Sequence, residues 1–225
     1  MKFKYIAAIT FFAFAVLLGA GLYSKTSYKD YNKEKEPLNH FSVGIFPDNL
    51  ADTQIEIMQE VLDNSRHIIA ARCEDTSKYL YSCAVQPVTV EQVFKGEGLK
   101  TGEKISIQTV SQIFMEKDLY VGGKPSLNIG FVNEMKPGKT YLIFLDRKID
   151  THNEEKIYVH PKETLIRPVF CYEKIENKPC VSNSDISNST YYKDVSENEF
   201  FLASETTIKK IEEFKETLLH KYPIQ

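Results

Sequence analysis

The sequence predicts a mainly β domain with flanking helices, an α+β fold, behind an N-terminal hydrophobic helix. Three observations predict it. Residues 5–23 (YIAAITFFAFAVLLGAGLY) carry no charge. Segments between residues 67 and 170 alternate or run apolar at strand length, punctuated by Gly and Pro. Residues 205–221 space their apolar side chains at helical period. The chain has 225 residues, 42 % of them hydrophobic and 26 % charged, which excludes disordered and collagen-like classes. A net charge of -3 gives no reason to expect nucleic-acid binding.

The charge is unevenly placed. Lys2 and Lys4 precede the apolar run, and all 31 acids and every other base follow it, leaving that part at -5. Nineteen residues at about 1.5 Å rise span roughly 28 Å, near the thickness of a bilayer core. The run has no polar stripe. Two readings are open: an uncleaved membrane anchor, or a secretory signal cleaved near Gly19-Ala20-Gly21. The run exceeds a signal core of about 7–15 residues, and no Cys follows for lipid anchoring. Lys2 and Lys4 place the N-terminus inside, although Lys25 and Lys29 weaken the contrast. The expected organisation is an anchor or signal at 1–23, a polar stalk at 24–40 and an extracytoplasmic domain at 41–225. Residues 5–23 are the expected membrane contact.

Four cysteines, Cys73, Cys83, Cys171 and Cys180, form no CxxC motif. Their spacings of ten and nine, with no His at ligand distance, do not suit zinc. Outside the cytoplasm an even count favours disulfides. Three connectivities exist, and the short loops favour Cys73–Cys83 and Cys171–Cys180. Closing a loop of about ten residues stabilises by roughly 2–3 kcal/mol.

Residues 48–66 predict a helix, with Asp52 as N-cap and Ile55, Met58 and Leu62 on one face. Residues 67–73 (HIIAARC) predict a strand. Residues 81–94 predict a second, with Pro87 marking an edge or bulge. A turn at 95–98 leads to residues 104–110 (KISIQTV), which put Ile105 and Ile107 on one face. Residues 111–139 hold Gly122-Gly123, Gly130 and Pro137-Gly138 and predict a long loop with room for short strands. Residues 140–145 (TYLIFL) predict a strand buried on both faces. Residues 156–160 and 164–170 suggest two more. Residues 182–190 are a polar loop with a sequon at Asn188-Ser189-Thr190. Ser204 predicts the cap of a last helix, 205–221, with Ile208, Ile211, Phe214 and Leu218 as its apolar stripe.

The order V-x-x-V-F-K-G, G-E-x-I-x-I, G-K-x-Y-L-I-F-L rests on Val90, Val93, Phe94, Lys95, Gly96, Gly102, Ile105, Ile107, Gly138, Lys139, Tyr141, Leu142 and Phe144. Over residues 66–147 this resembles the netrin/tissue-inhibitor-of-metalloproteinase superfamily. The resemblance implies an OB-like five-stranded antiparallel barrel, with Tyr141, Leu142 and Phe144 filling its interior. Inhibitors of that family reach a catalytic zinc through an N-terminal Cys. Here the first Cys is Cys73, so inhibition is not implied.

No catalytic, cofactor or metal motif is expected. Gly138-Lys139-Thr140 lacks the earlier Gly of a phosphate loop, having Asn133 there. His40, His67, His152, His160 and His220 are scattered, although His152, Glu154 and His160 share one loop region. No G-x-S-x-G elbow occurs. Tyr120, Tyr172, Tyr191 and Tyr192 fall in loops or strand ends and are candidate binding-surface aromatics; local packing is the competing reading. Loops 111–139 and 172–192 are the expected binding edges. The function these features suggest is a membrane-anchored or secreted accessory module that binds a protein, peptide or glycan outside the cell. The alternatives are a cell-envelope hydrolase with a dispersed site and a structural subunit of a membrane complex.

Overall fold

A computed structural model describes residues 2–27, 30–80, 83–114, 125–150, 155–182 and 188–225. The chain divides into two compact units, Met1–Lys35 and Glu36–Gln225.

In the first unit, helix α1 spans Lys2–Ser27. Residues Lys4–Lys25 have a mean hydropathy of 2.2, and the apolar span is wholly exposed. Length and composition suit a membrane crossing or a signal segment. The helix runs four residues past the expected boundary at 23. Of the expected stalk, Tyr31–Lys33 and Pro37–His40 are 3-10 turns. Asp30 Oδ1 caps the first by accepting from Asn32 N at 3.2 Å.

The second unit is mixed α/β with its strands in two sheets. The strands are β1 (Ser42–Gly44), β2 (His67–Cys73), β3 (Lys78–Tyr79), β4 (Ala84–Lys95), β5 (Lys104–Val110), β6 (Gln112–Phe114), β7 (Ser126–Asn128), β8 (Thr140–Leu145), β9 (Arg147–Ile149), β10 (Ile157–Val159), β11 (Val169–Cys171) and β12 (Ser189–Tyr191). The helices are α2 (Ala51–Leu62), the short α3 (Tyr192–Val195) and α4 (Glu205–Lys221). The larger sheet has eight strands in the order β11-β8-β2-β4-β5-β10-β9, with β3 on β4; the smaller runs β12-β1-β7-β6.

The expectation of five antiparallel strands needs correction on two points. The sheet has eight strands, and β5 and β10 pair in parallel. A parallel pair needs a crossover between its strands. Here the chain from β5 to β10 passes through β6, β7, β8 and β9. Asp146 joins β8 to β9, so one stretch of chain pairs with β2 through its first half and with β10 through its second.

The central strands are apolar on both faces because both faces are covered. Leu142 and Phe144 of β8 and Ile68 of β2 pack with Met58 and Leu62 of α2 and Ile211 and Phe214 of α4. Tyr141, Ile143 and Leu145 point the other way, against Ile69, Val88, Val90, Ile105 and Ile107. The resemblance implied that Tyr141, Leu142 and Phe144 fill one interior; instead Tyr141 lies on the opposite face from the other two. Strand alternation sends neighbours to opposite faces. Pro87 sits where the partner of β4 changes from β3 to β2, a place where a missing N–H costs no ladder bond.

Both helix starts are defined. Ser204 Oγ accepts from Thr207 N at 3.2 Å, the cap expected for α4. Asp52 is not the cap of α2. A 3-10 turn at Asp48–Leu50 leads into that helix, no side chain caps it, and Asp52 lies in its first turn. Its carboxylate meets Lys210 of α4 at 2.7 Å.

The four cysteines are free, so the expected local disulfides do not form in this structure. Cys73 lies opposite Val88 on β4. Cys83 is five residues further back, roughly 16 Å along an extended chain, beyond the reach of a disulfide. Cys171 Sγ donates to Glu173 at 2.9 Å, and Cys180 Sγ accepts from Asn198 Nδ2 at 3.6 Å. Burial pushes the Cys73 and Cys171 thiols up to about 12.

Candidate functional site

A cleft of about 590 Å³ opens between the end of β5, the β8–β9 junction, the end of β7 and the segment after β10. Its size falls within the roughly 300–1,000 Å³ usual for small-molecule sites.

Arg167 is its central charge. The residue interrupts an apolar stretch, between Ile166 and Pro168, and only 6 % of it is exposed. Its Nη1 donates to Thr109 O, and its Nη2 donates to Asn133 O at 2.7 Å and Val132 O at 3.3 Å. The Nε is buried without a partner. Burial lowers the guanidinium to about 10, opposed by the nearby Glu134 carboxylate, so it stays charged at neutral pH. Burial raises Glu134; bonds from Ser77 and Tyr79 and the charge of Arg167 oppose the rise.

The approach of Arg167 depends on Gly130. A Cβ there would stand 2.9 Å from Arg167 Cβ, and the backbone has φ +62°. Arg167 N donates to Gly130 O at 2.9 Å. Phe131, with φ 56°, continues the left-handed turn and packs edge-on against Phe46.

His160 forms another wall. Its Nδ1 lies 2.8 Å from Phe144 O. A carbonyl only accepts, so Nδ1 carries the proton and Nε2 keeps its lone pair. Nε2 is buried with no partner. Burial, and then the charge of Arg167, lowers this imidazole to about 3, which keeps it neutral. At the rim, Arg147 and Lys162 are exposed, and neither is ion-paired among the described residues. Asp146, the one acid of the lining among the described residues, meets Arg66 at 3.5 Å.

The hydroxyls of the cleft are engaged elsewhere. Thr109 Oγ1 contacts Ala84 O at 3.4 Å, Ser111 Oγ donates to Asn128 O at 3.1 Å, and Thr164 Oγ1 donates to Pro161 O at 3.4 Å. Among the described residues none of them is bonded to His160, so no nucleophile–base pair is assembled. No group of three His, Cys, Asp or Glu able to hold a metal occurs among the described residues either.

The residues singled out by sequence are dispersed. Tyr120, His152 and Glu154 lie outside the described residues. Tyr172 OH donates to Tyr222 O at 2.6 Å and Tyr192 OH to Asn133 Oδ1 at 2.8 Å, so both hydroxyls tie the fold together. The Lys193 ammonium lies 5.8 Å from the Tyr191 ring centroid. His67 packs edge-on against Tyr158 at 5.5 Å. Among the described candidates His160 alone lines the cleft. Arg167 went unnoticed in the sequence, although an Arg inside an apolar stretch was the available signal.

No protein-family model matches this chain, and no curated protein matches it.

Proposed function

We propose that this protein is an exported, membrane-anchored binding module whose Glu36–Gln225 unit is an OB-like barrel. One observation carries the export reading: an apolar helix, exposed along its length, precedes a compact unit that buries its own apolar faces. The barrel reading is supported by the ladder β2-β4-β5-β10, which has the β8–β9 stretch at both ends. It is in keeping with the resemblance of residues 66–147 to netrin/inhibitor modules. Binding is favoured over hydrolysis because the hydroxyls of the cleft serve backbone carbonyls. The partner is a protein, peptide or glycan outside the cell.

Protease added to intact cells tests the export reading. Residues 36–225 are expected to be digested while a cytoplasmic marker survives. Protection of the domain until the cells are lysed would overturn it.

A further inference from the structure

We propose that the cleft around Arg167 and His160 binds a carboxylate-bearing saccharide, a uronic acid or a short chain of them. This deepens the binding-module reading and rests on it.

The charge comes first. Arg147, Lys162 and Arg167 border one cleft, and the single acid among its described lining residues, Asp146, already faces Arg66. Arg167 has Glu134 as its counter-charge, so the positive surplus comes from Arg147 and Lys162 at the rim; it draws in an anionic ligand, and a neutral one gains nothing from it.

Hydrogen bonding narrows the class. Arg167 Nε is a buried donor without a partner, and His160 Nε2 is a buried acceptor without one. A buried polar group left unmet is costly, so a ligand that meets both is favoured. That both residues line the same cleft is the second, independent observation. A ligand hydroxyl can accept from the first, and a hydroxyl of the same ligand can donate to the second. A bare oxyanion can do only the first, because it has no proton to give. The ligand therefore carries hydroxyls as well as a carboxylate. Both atoms are shielded from solvent behind the cleft wall, so a ligand reaches them when the side chains over them turn aside, as interface rotamers commonly do on binding. Gln108 and Asn128 add amide side chains along the wall, and Ser111 Oγ, whose proton goes to Asn128 O, can still accept, as a polyol requires.

The test uses the full chain in lipid nanodiscs and calorimetric titration. The probes are digalacturonate, the matching neutral disaccharide, sodium sulfate and a hexaglutamate peptide. Digalacturonate is expected to bind and the neutral sugar not to. Arg147→Gln with Lys162→Gln, both at exposed positions, is expected to weaken digalacturonate by about tenfold without moving the thermal midpoint. His160→Phe is expected to weaken it while leaving any residual sulfate binding unchanged. The proposal is overturned if digalacturonate fails to bind at millimolar concentration. It is equally overturned if sulfate, hexaglutamate or the neutral sugar binds as well, or if the double substitution changes nothing. Failure here with the domain still accessible on intact cells removes this ligand class and leaves the module reading standing.

Discussion

The Gln86 side chain pairs with the Met135 backbone as a strand would. Its Nε2 donates to Met135 O and its Oε1 accepts from Met135 N, both at 2.8 Å. Gln86 is fully buried on β4, and Met135 lies in the segment that leads into β8. One amide thus satisfies both polar groups of a buried residue that has no ladder of its own. Gln86→Leu removes the amide, leaving Met135 N unmet and Met135 O with only the Cys73 thiol, at 3.5 Å. The expected loss is about 3 kcal/mol in equilibrium urea unfolding. A loss below about 1 kcal/mol would show that the pair contributes little.

Arg167 ties β5 to the turn at 132–133 through three backbone carbonyls. Arg167→Leu strands those carbonyls and leaves Glu134 without its counter-charge, so a destabilisation of about 3–5 kcal/mol is expected. Adding Glu134→Gln should recover part of it. A double-mutant cycle measures the recovery, and strict additivity would argue against coupling between the two. Arg167→Lys is expected to resemble the leucine variant, since an ammonium lacks the planar fork.

The thiols should differ in reactivity. Cys73, Cys171 and Cys180 are buried, whereas Cys83 is partly exposed. Burial raises all four, which disfavours the reactive thiolate. A thiol reagent on native protein is expected to modify Cys83 first and the others only after denaturant is added. Reductant should leave the thermal midpoint unchanged. Four unreactive sulfurs in denaturant, released by reductant, would establish disulfides instead.

His160 should make stability depend on pH in the acid range. Its folded value is lowered to about 3 from an ordinary 6.5. Between those values the unfolded chain binds a proton that the folded chain does not. Stability from this group is therefore complete above about 6.5 and declines as pH falls toward 3, by at most about 1.4 kcal/mol per pH unit. His160→Gln should flatten the curve between about pH 6 and 4 relative to the natural chain. Parallel curves for the two proteins would exclude the effect.

The cap of α4 offers a smaller and more local check. Ser204→Ala removes the acceptor for Thr207 N and a donor to Asp48 Oδ1 at 2.7 Å. The expected cost is about 1 kcal/mol, read from the thermal midpoint. Ser204→Asp should preserve the cap yet place a second carboxylate beside Asp48.

The sequence by itself determined the local elements. Residues 5–23 lack charge, so their helix has no polar face. The β2, β5 and β8 segments carry enough period-two or continuous apolar character to be strands wherever they pack. Ser204 and the stripe from Ile208 to Leu218 define α4 through short-range hydrogen bonding and spacing.

What tertiary structure decided is everything set by contacts across long stretches of chain. The parallel pairing of β10 with β5 joins strands about fifty residues apart, and no local pattern encodes it. The fate of the cysteines followed register: Cys73 opposite Val88 puts Cys83 out of reach, whatever their spacing in sequence. The cleft is likewise a product of assembly. Arg167, His160, Arg147 and Thr109 come from separate segments. They converge because Gly130 lets the chain pass against Arg167 and because the β8–β9 stretch turns from β2 to β10. A buried charge can be suspected from an Arg between Ile and Pro, but its partners are backbone carbonyls, which every residue has. Only folding decides which of them it meets.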